Sequence, residues 1–409
     1  MQRLEANQSP GYLVRKRLGN NKTAIFGLGV ILGAFLIAIL GYLIMPDNTP
    51  DANDGAVQLA KKPPGFSITL IKQRKNIPVE DRSIFRIALE GQPAKHILIP
   101  IADYHIDGYQ VTVNPYRQEN QSETYHLLNL VKPLYIGETL PLKQGNYEID
   151  GDLVTYLDLD GNYRHTTRQE LLAEFEENHV EQRTFLLGTD KVGRDLLSRL
   201  IYGTRVSLAI GFVAVFISMG LGISLGALSG FFGGKIDDII LWFMSVVWSI
   251  PGIMLVIAIS MSLQSRGVWV AFVAVGLTMW VEVARVIRGQ MIGIKQKAFV
   301  EAARAFGISN FRIVFKHIMP NILGPLIVIA TSNFAAAILL EAGLSFLGLS
   351  VQPPTPSWGI MINDGYYSIG TNNSWHLVFF PGMAICLMVL SFNLLGNGLR
   401  DAFDPQTAA

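Results

Sequence analysis

Runs of about twenty apolar residues recur along this chain, and they limit its possible folds more than any other feature of the sequence. As helix, such a run crosses a hydrocarbon core about 30 Å thick. Six are read, at 24–45, 206–228, 236–263, 268–287, 322–340 and 377–395. Half of the 409 residues are hydrophobic and only 16% are charged, against about a quarter charged in an ordinary soluble domain. The expected fold is an all-α polytopic membrane protein of about six transmembrane helices. A net charge of +1 gives no pull toward nucleic acid. The single cysteine, Cys386, excludes an internal disulfide. The first apolar run is too long for a cleavable signal peptide, and no small-residue cleavage site follows it promptly.

Basic residues orient the spans. Arg15, Lys16, Arg17 and Lys22 precede the first run, so the N-terminus is expected in the cytoplasm. Six spans return the C-terminus, with Arg400, to that side. Arg288, Lys295, Lys297, Arg304 and Arg312 then fall in a cytoplasmic loop, and the opposite short loops carry little positive charge beyond Arg266. The resulting division is a cytoplasmic segment 1–23, a first span 24–45, an outer region 46–184, a five-span core 185–400 containing the loop 288–320, and a tail 401–409.

The outer region is too long for a plain connector. Its first part, 46–64, is rich in Pro, Asp, Asn and Gly and reads as a linker. Alternating stretches at 66–71, 96–101 and 109–113 read as strands. Asp150-Gly151 reads as a hairpin turn, and Thr167 with Glu170 as a capping box opening a short helix to Glu177. A β-rich extracytoplasmic insert between the first and second spans is expected, folding as a unit over 64–178. Asp158 to Asn162 reads as a tight turn rather than a calcium loop, because the glycine position and distant glutamate of an EF-hand are missing.

The loop between the fourth and fifth spans is polar and helix-forming. Residues 295–304 favour helix, Gly307 can take the left-handed conformation that ends it, and Pro320 opens the next span. Ala302 and Ala303 are small enough to let a partner approach the backbone, and Glu301 offers it a carboxylate. A solvated helical connector would share this pattern. Before the second span, Gly188, Thr189, Asp190, Gly193, Arg194 and Asp195 suit tight turns and a helix cap; an ordered approach to the span and a partner contact are both open. Gly222-Ile-Ser224-Leu-Gly226 has the form of a hydrolase nucleophile turn but lies inside an apolar run. Gly222, Gly226 and Gly230 instead form a small-residue face for helix packing. Glu282 is placed to pair with Arg285, Glu341 to reach interfacial water, and Pro251 and Pro381 to kink their helices. No catalytic constellation or metal-ligating spacing is found.

Glu301-Ala-Ala303, three residues, Gly307 and then Ile318-Met-Pro320 resembles the EAA loop of ABC importer permeases. Leu187 to Gly203, Leu344 to Leu349, Pro353 to Gly359 and Phe392 to Asp401 are similar to the peptide/nickel-type permease family, over the first span and everything after about Phe185. Met319 stands where that family usually has leucine. The resemblance implies a type I ABC importer permease fold in the bacterial inner membrane, surrounded by lipid. It implies a heterodimer with a homologous permease subunit, two ABC ATPase domains docked on Glu301, Ala302, Ala303, Gly307 and Pro320, and an extracytoplasmic solute-binding protein. The solutes would be peptides or similar small molecules, nickel among them. ATP and Mg would be used by the partner ATPases. This chain has no phosphate-binding loop, since Gly234-Lys235 is followed by Ile236. An ion-coupled secondary transporter would need paired midplane charges, and a membrane-anchored outer-face enzyme would need a reactive constellation. Neither is read.

Overall fold

The computed structural model describes residues 10–117, 121–137, 142–143, 145–265, 267–370 and 374–403. Arg266 and the outer parts of both terminal segments, 1–9 and 404–409, lie outside them. α1 (Pro10–Asn20) leads into the apolar α2 (Lys22–Ile44). Then come β1 (Phe66–Arg74), α3 (Ile84–Glu90), β2 (His96–Asp107), β3 (Gln110–Pro115), β4 (Glu123–His126), α4 (Leu127–Val131), β5 (Tyr147–Asp150), β6 (Leu153–Leu157), β7 (Tyr163–Thr167), α5 (Arg168–Glu174) and β8 (Val180–Phe185). The rest is built on α6 (Leu196–Phe232), α7 (Gly234–Trp248), α8 (Gly252–Ser262), α9 (Val268–Ile294), α10 (Ala298–Ala305), α11 (Asn310–Arg312), α12 (Leu323–Phe346), α13 (Trp358–Tyr366) and α14 (His376–Phe403).

Two compact units result. One comprises residues up to Ile39, Gly203–Asn363 and those from Phe379 on; the other comprises Leu40–Tyr202 and Asp364–Val378.

The first unit is helical. Among the described residues, α2, α6, α9, the stretch Asn310–Phe346 and α14 are each long and apolar enough to cross a membrane. The third apolar run is not one straight span. It is the pair α7 and α8, bent by 92°. Pro251, the N-cap of α8, has no N–H to continue the ladder, so the helix stops at Trp248 and restarts in a new direction. Pro381 sits one turn into α14, which runs on through it. α6 begins at Leu196, ten residues before its apolar run; hydropathy misses these turns because Arg199 and Arg205 lie in them. α9 is the most enclosed span, packed against α7, α8 and α12.

Among the described residues, the second unit holds eight strands. Five form an antiparallel sheet ordered β4-β3-β2-β1-β8, and three form the meander β5-β6-β7. In β3, Val111 and Val113 are buried while Gln110 and Asn114 are exposed, the alternation of a half-buried strand. They join Ile71, Ile101, Leu127, Leu128, Leu171 and Phe175 in one core, where each large apolar side chain contributes about 1.5–3 kcal/mol of burial. Thr167 and Glu170 cap α5 reciprocally, through Glu170 N–H to Thr167 Oγ1 at 3.2 Å and Thr167 N–H to Glu170 Oε2 at 2.9 Å. Asp158 Oδ1 accepts from the N–H groups of Asp160 and Asn162, so that segment is a turn between β6 and β7.

Two expectations are corrected here. Residues 46–64 are not a loose linker: Ala52, Ala56 and Leu59 are buried, and short 3₁₀ turns at Pro50–Ala52 and Val57–Leu59 order the chain. The folding unit also does not end at 178. β8 pairs with β1 along the sheet edge, so the unit runs to Phe185.

Candidate functional site

The loop after α9 is closed by local hydrogen bonds. Gly307 has φ +72°, which ends α10. Gly307 N–H donates to Arg304 O at 2.9 Å and Ile308 N–H to Ala303 O at 3.1 Å, the paired bonds of a Schellman cap. α11 then runs through a π turn (Ile313–Ile318) and a 3₁₀ turn (Met319–Ile322) into α12. Pro320 lies exposed in that last turn.

α10 has two unlike faces. Val300 and Ala303 point inward, into a cluster with Ile287, Met291, Ile313 and Ile318. Ala303 is therefore part of the loop's own core and does not offer a surface, unlike Ala302 beside it. Glu301 and Ala302 face outward with Phe306, 86% exposed, and Phe311, 73% exposed. Phe311 packs against Phe315 with tilted rings, centroids 4.4 Å apart. These phenylalanines were not singled out in the sequence; their signal was aromatic residues inside an otherwise polar loop.

The loop is tied to the spans. Lys295 Nζ donates to Gly230 O at 2.9 Å, joining the end of α9 to that of α6. Arg288 holds Asp237 with two bonds of 2.7 and 2.6 Å, and Ser229 also donates to Asp237. This bidentate pair bridges α7 and α9, and sequence spacing gave no hint of it. Higher up, α6 and α9 touch along the glycine face. A Cβ on Gly222 would lie 2.4 Å from Val283 Cβ, one on Gly226 2.5 Å from Ala284 O, and one on Gly230 2.7 Å from Met291 Cβ. Ser224 Oγ donates to Gly220 O at 2.7 Å within α6, a back-bond that leaves no strained nucleophile turn.

Two ionisable residues behave differently from expectation. Arg285 stacks 3.5 Å over the Trp248 ring, rather than pairing with Glu282. Glu341 does not reach water. It is fully buried, accepting from Ser345 Oγ at 2.7 Å and Ser207 Oγ at 3.4 Å, and Ser345 meets Ser357 at 3.3 Å. Those serines come from α6, α12 and the turn before α13, so their convergence is invisible in sequence.

In the second unit, the Gly188–Asp195 segment folds into a buried knot. Asp190 Oδ1 accepts from the N–H groups of Val192 and Arg194 at 2.9 and 3.0 Å, and Asp190 Oδ2 lies 2.6 Å from Arg194 Nε and 3.3 Å from Arg199 Nε. Asp195 Oδ2 accepts from Ser198 N–H at 2.8 Å, capping α6. Thr189 Oγ1 accepts from Lys62 N–H at 2.8 Å and donates to Leu59 O. Arg194 reaches Asn53 Oδ1 at 2.8 Å. Gly193 and Gly188 have φ of +86° and +83° and sit against Ala56 O and Lys62 O. The knot thus clamps residues 47–62 to the start of α6, and its side chains are turned inward. Nearby, burial and the neighbouring Asp47 push the Asp54 carboxyl up to about 6, and burial also raises that of Asp195. Among the described residues, no three His, Cys, Asp or Glu side chains gather as a metal site.

Residues 222–409 match the family described as the binding-protein-dependent transport system inner membrane component, and residues 9–64 match the N-terminal TM domain of oligopeptide transport permease C. The dipeptide transport system permease protein DppC of Bacillus subtilis (strain 168) is 41% identical over 231 residues, covering 56% of this chain and 72% of the relative. The oligopeptide transport system permease protein OppC of Haemophilus influenzae is 42% identical over 219 residues, covering 54% and 70%. The glutathione transport system permease protein GsiD of Escherichia coli O6:K15:H31 is 42% identical over 219 residues, covering 54% and 71%. This chain belongs to the family of inner-membrane permeases of binding-protein-dependent transport systems.

Proposed function

We propose that this chain is the membrane-spanning subunit of an ABC importer that moves peptides or similar small solutes into the cytoplasm. Its relatives are permeases of dipeptide, oligopeptide and glutathione systems. In this reading it pairs with a homologous permease subunit, two ATPase domains dock below, and a solute-binding protein delivers from above. ATP and Mg are handled by the ATPases. Both termini face the cytoplasm, and the sheet-bearing unit lies outside, as the basic flank before α2 and the basic loop after α9 favour.

The observation that carries this reading is the two-faced loop. Its outer face presents Glu301, Ala302, Phe306 and Phe311, and its inner face is packed into the ends of α6 and α9. Movement of the ATPases would push a rigid element, since the Schellman cap at Gly307 closes the loop and Lys295 ties it to α6. The push would pass along the close α6–α9 seam. Alternating access then needs only differential packing in two states.

The test is a Glu301→Arg, Gly307→Pro double variant, reconstituted with its ATPases and binding protein. Membrane insertion should persist, while ATP hydrolysis stimulated by loaded binding protein should fall at least tenfold. Unchanged assembly and transport would refute docking at this loop.

A further inference from the structure

We propose that α3 is a membrane-interface anchor, which lays Ile84 and Phe85 into the boundary between lipid headgroups and acyl chains. This rests on α2 being a membrane span. α3 is a seven-residue helix with no buried residue; Ile84 is 73% exposed and Phe85 86% exposed. Phe85 and Leu89, the latter 63% exposed, lie one turn apart on one face with Ile84 at its edge, and exposed apolar side chains gathered in this way mark an interaction surface.

The position of α3 identifies what covers that face. Gly91, the C-cap of α3, abuts the last turn of α2: a Cβ there would lie 2.7 Å from Tyr42 Cε1 and 2.7 Å from Asn48 O. Gln92 N–H donates to Asn48 O at 2.9 Å, fixing the same junction. Tyr42 packs 5.2 Å from Tyr202 and accepts a hydrogen bond from Asp51 N–H at 3.1 Å. Tyr42 is buried, and it lies in the last turn of α2, where a span of Lys22–Ile44 would reach the membrane–water boundary. α3 is about 10 Å long at 1.5 Å per residue, so its whole length stays within about 10 Å of that boundary.

The polar side of the helix is tied to its own neighbours. Ser83 caps its start, Arg86 pairs with Glu80 at 2.6 Å and Glu90 at 3.2 Å, and Arg82 donates to Gly91 O at 2.8 Å. From Glu80 to Lys95 there are three acidic and three basic side chains, so anionic lipid has no net charge to attract. Apolar insertion is the driving force. A helix this short is not stable by itself in water; here the cap and the arginine ties hold it ready for lipid.

The test uses the full chain with Cys386→Ser, reconstituted in phosphatidylcholine vesicles. A spin label is placed by Phe85→Cys, with Leu36→Cys on α2 and Tyr163→Cys on β7 as lipid and water controls. Accessibility to oxygen and to a water-soluble nickel chelate is measured by power saturation. The Phe85 label should show an oxygen-to-nickel ratio several-fold above that at Tyr163, unchanged by adding anionic lipid. Nickel accessibility equal to that at Tyr163 would overturn the proposal. So would a label shielded from both reagents only when a partner permease is present, which would mark a protein interface instead.

Discussion

Phe66 and Phe185 are direct partners on the antiparallel strands β1 and β8, so the chain enters and leaves this five-stranded sheet at adjacent points. Gly65 N–H donates to Phe185 O at 2.9 Å, closing the junction. Partners of this kind lie about 4.5–5.5 Å apart between Cα atoms. We propose that the sheet-bearing stretch 66–185 is an excisable insertion, while residues 47–62 belong to the knot at the start of α6.

Two fragments test this. Residues 64–186, secreted alone, should give a β-rich circular dichroism spectrum and a cooperative melt. Residues 64–178 should lose that melt, because removing β8 uncovers the β1 edge. Equal stability of the two would refute the insertion boundaries. In the full chain, a short Gly-Ser bridge from Gly65 to Leu186 should preserve the thermal stability of the detergent-solubilised protein, whereas a deletion joining Asn48 to Arg183 should lower it, since it removes Leu59 and Lys62 from the Thr189 contacts.

The insert should be sensitive to mild acid. Burial, His179 and the cations Arg74, Lys72 and Lys95 push His96 down to about 4. Its neutral ring packs edge-on against His179 at 5.4 Å. A depressed base gives stability that is complete above about pH 6.5 and is lost as pH falls through about 4. Denaturant melts of the 64–186 fragment should weaken from pH 7 to pH 4.5, and His96→Gln should flatten that slope. An identical slope in the variant would contradict the assignment.

Asp54 should act in the opposite sense. Its raised carboxyl is favoured protonated, so its burial costs stability above about pH 6 and not below about pH 4. Asp54→Asn should stabilise the detergent-solubilised chain by about 1–3 kcal/mol at pH 7.5 and leave it unchanged near pH 4. Destabilisation at pH 7.5 would show that the carboxylate has a structural use.

The α6–α9 seam predicts a contrast within one helix. Gly226→Ala places a methyl 2.5 Å from Ala284 O and should cost about 1–3 kcal/mol. Gly220→Ala meets nothing within 4 Å and should be neutral or slightly stabilising. Thermal melts of the two variants in one detergent decide it, and equal melts would argue against a close seam.

Much of this was readable in the sequence because local patterns carry it. The apolar runs, the strands at 66–71 and 96–101, the Asp150-Gly151 turn and the Thr167–Glu170 capping box depend on neighbours only. The misses depend on distant residues. Residues 46–64 resemble a linker until Thr189 and Asp190 supply their backbone partners. β8 is a polar edge strand whose assignment needs β1 beside it. Glu341 is enclosed by serines from three separate segments, and the angle between α7 and α8 is set by packing that Pro251 permits but does not specify. At the loop, Glu301 and Gly307 were legible as a motif, but the inward turn of Ala303 and the outward phenylalanines required the fold.

Hydrogen–deuterium exchange of the reconstituted permease, with and without its ATPases, tests the central claim most directly. If the loop is the docking site, exchange across 298–315 should slow strongly when the ATPases bind, while the β-sheet amides of 66–185 stay unchanged. A stable complex that leaves 298–315 unprotected would contradict the account.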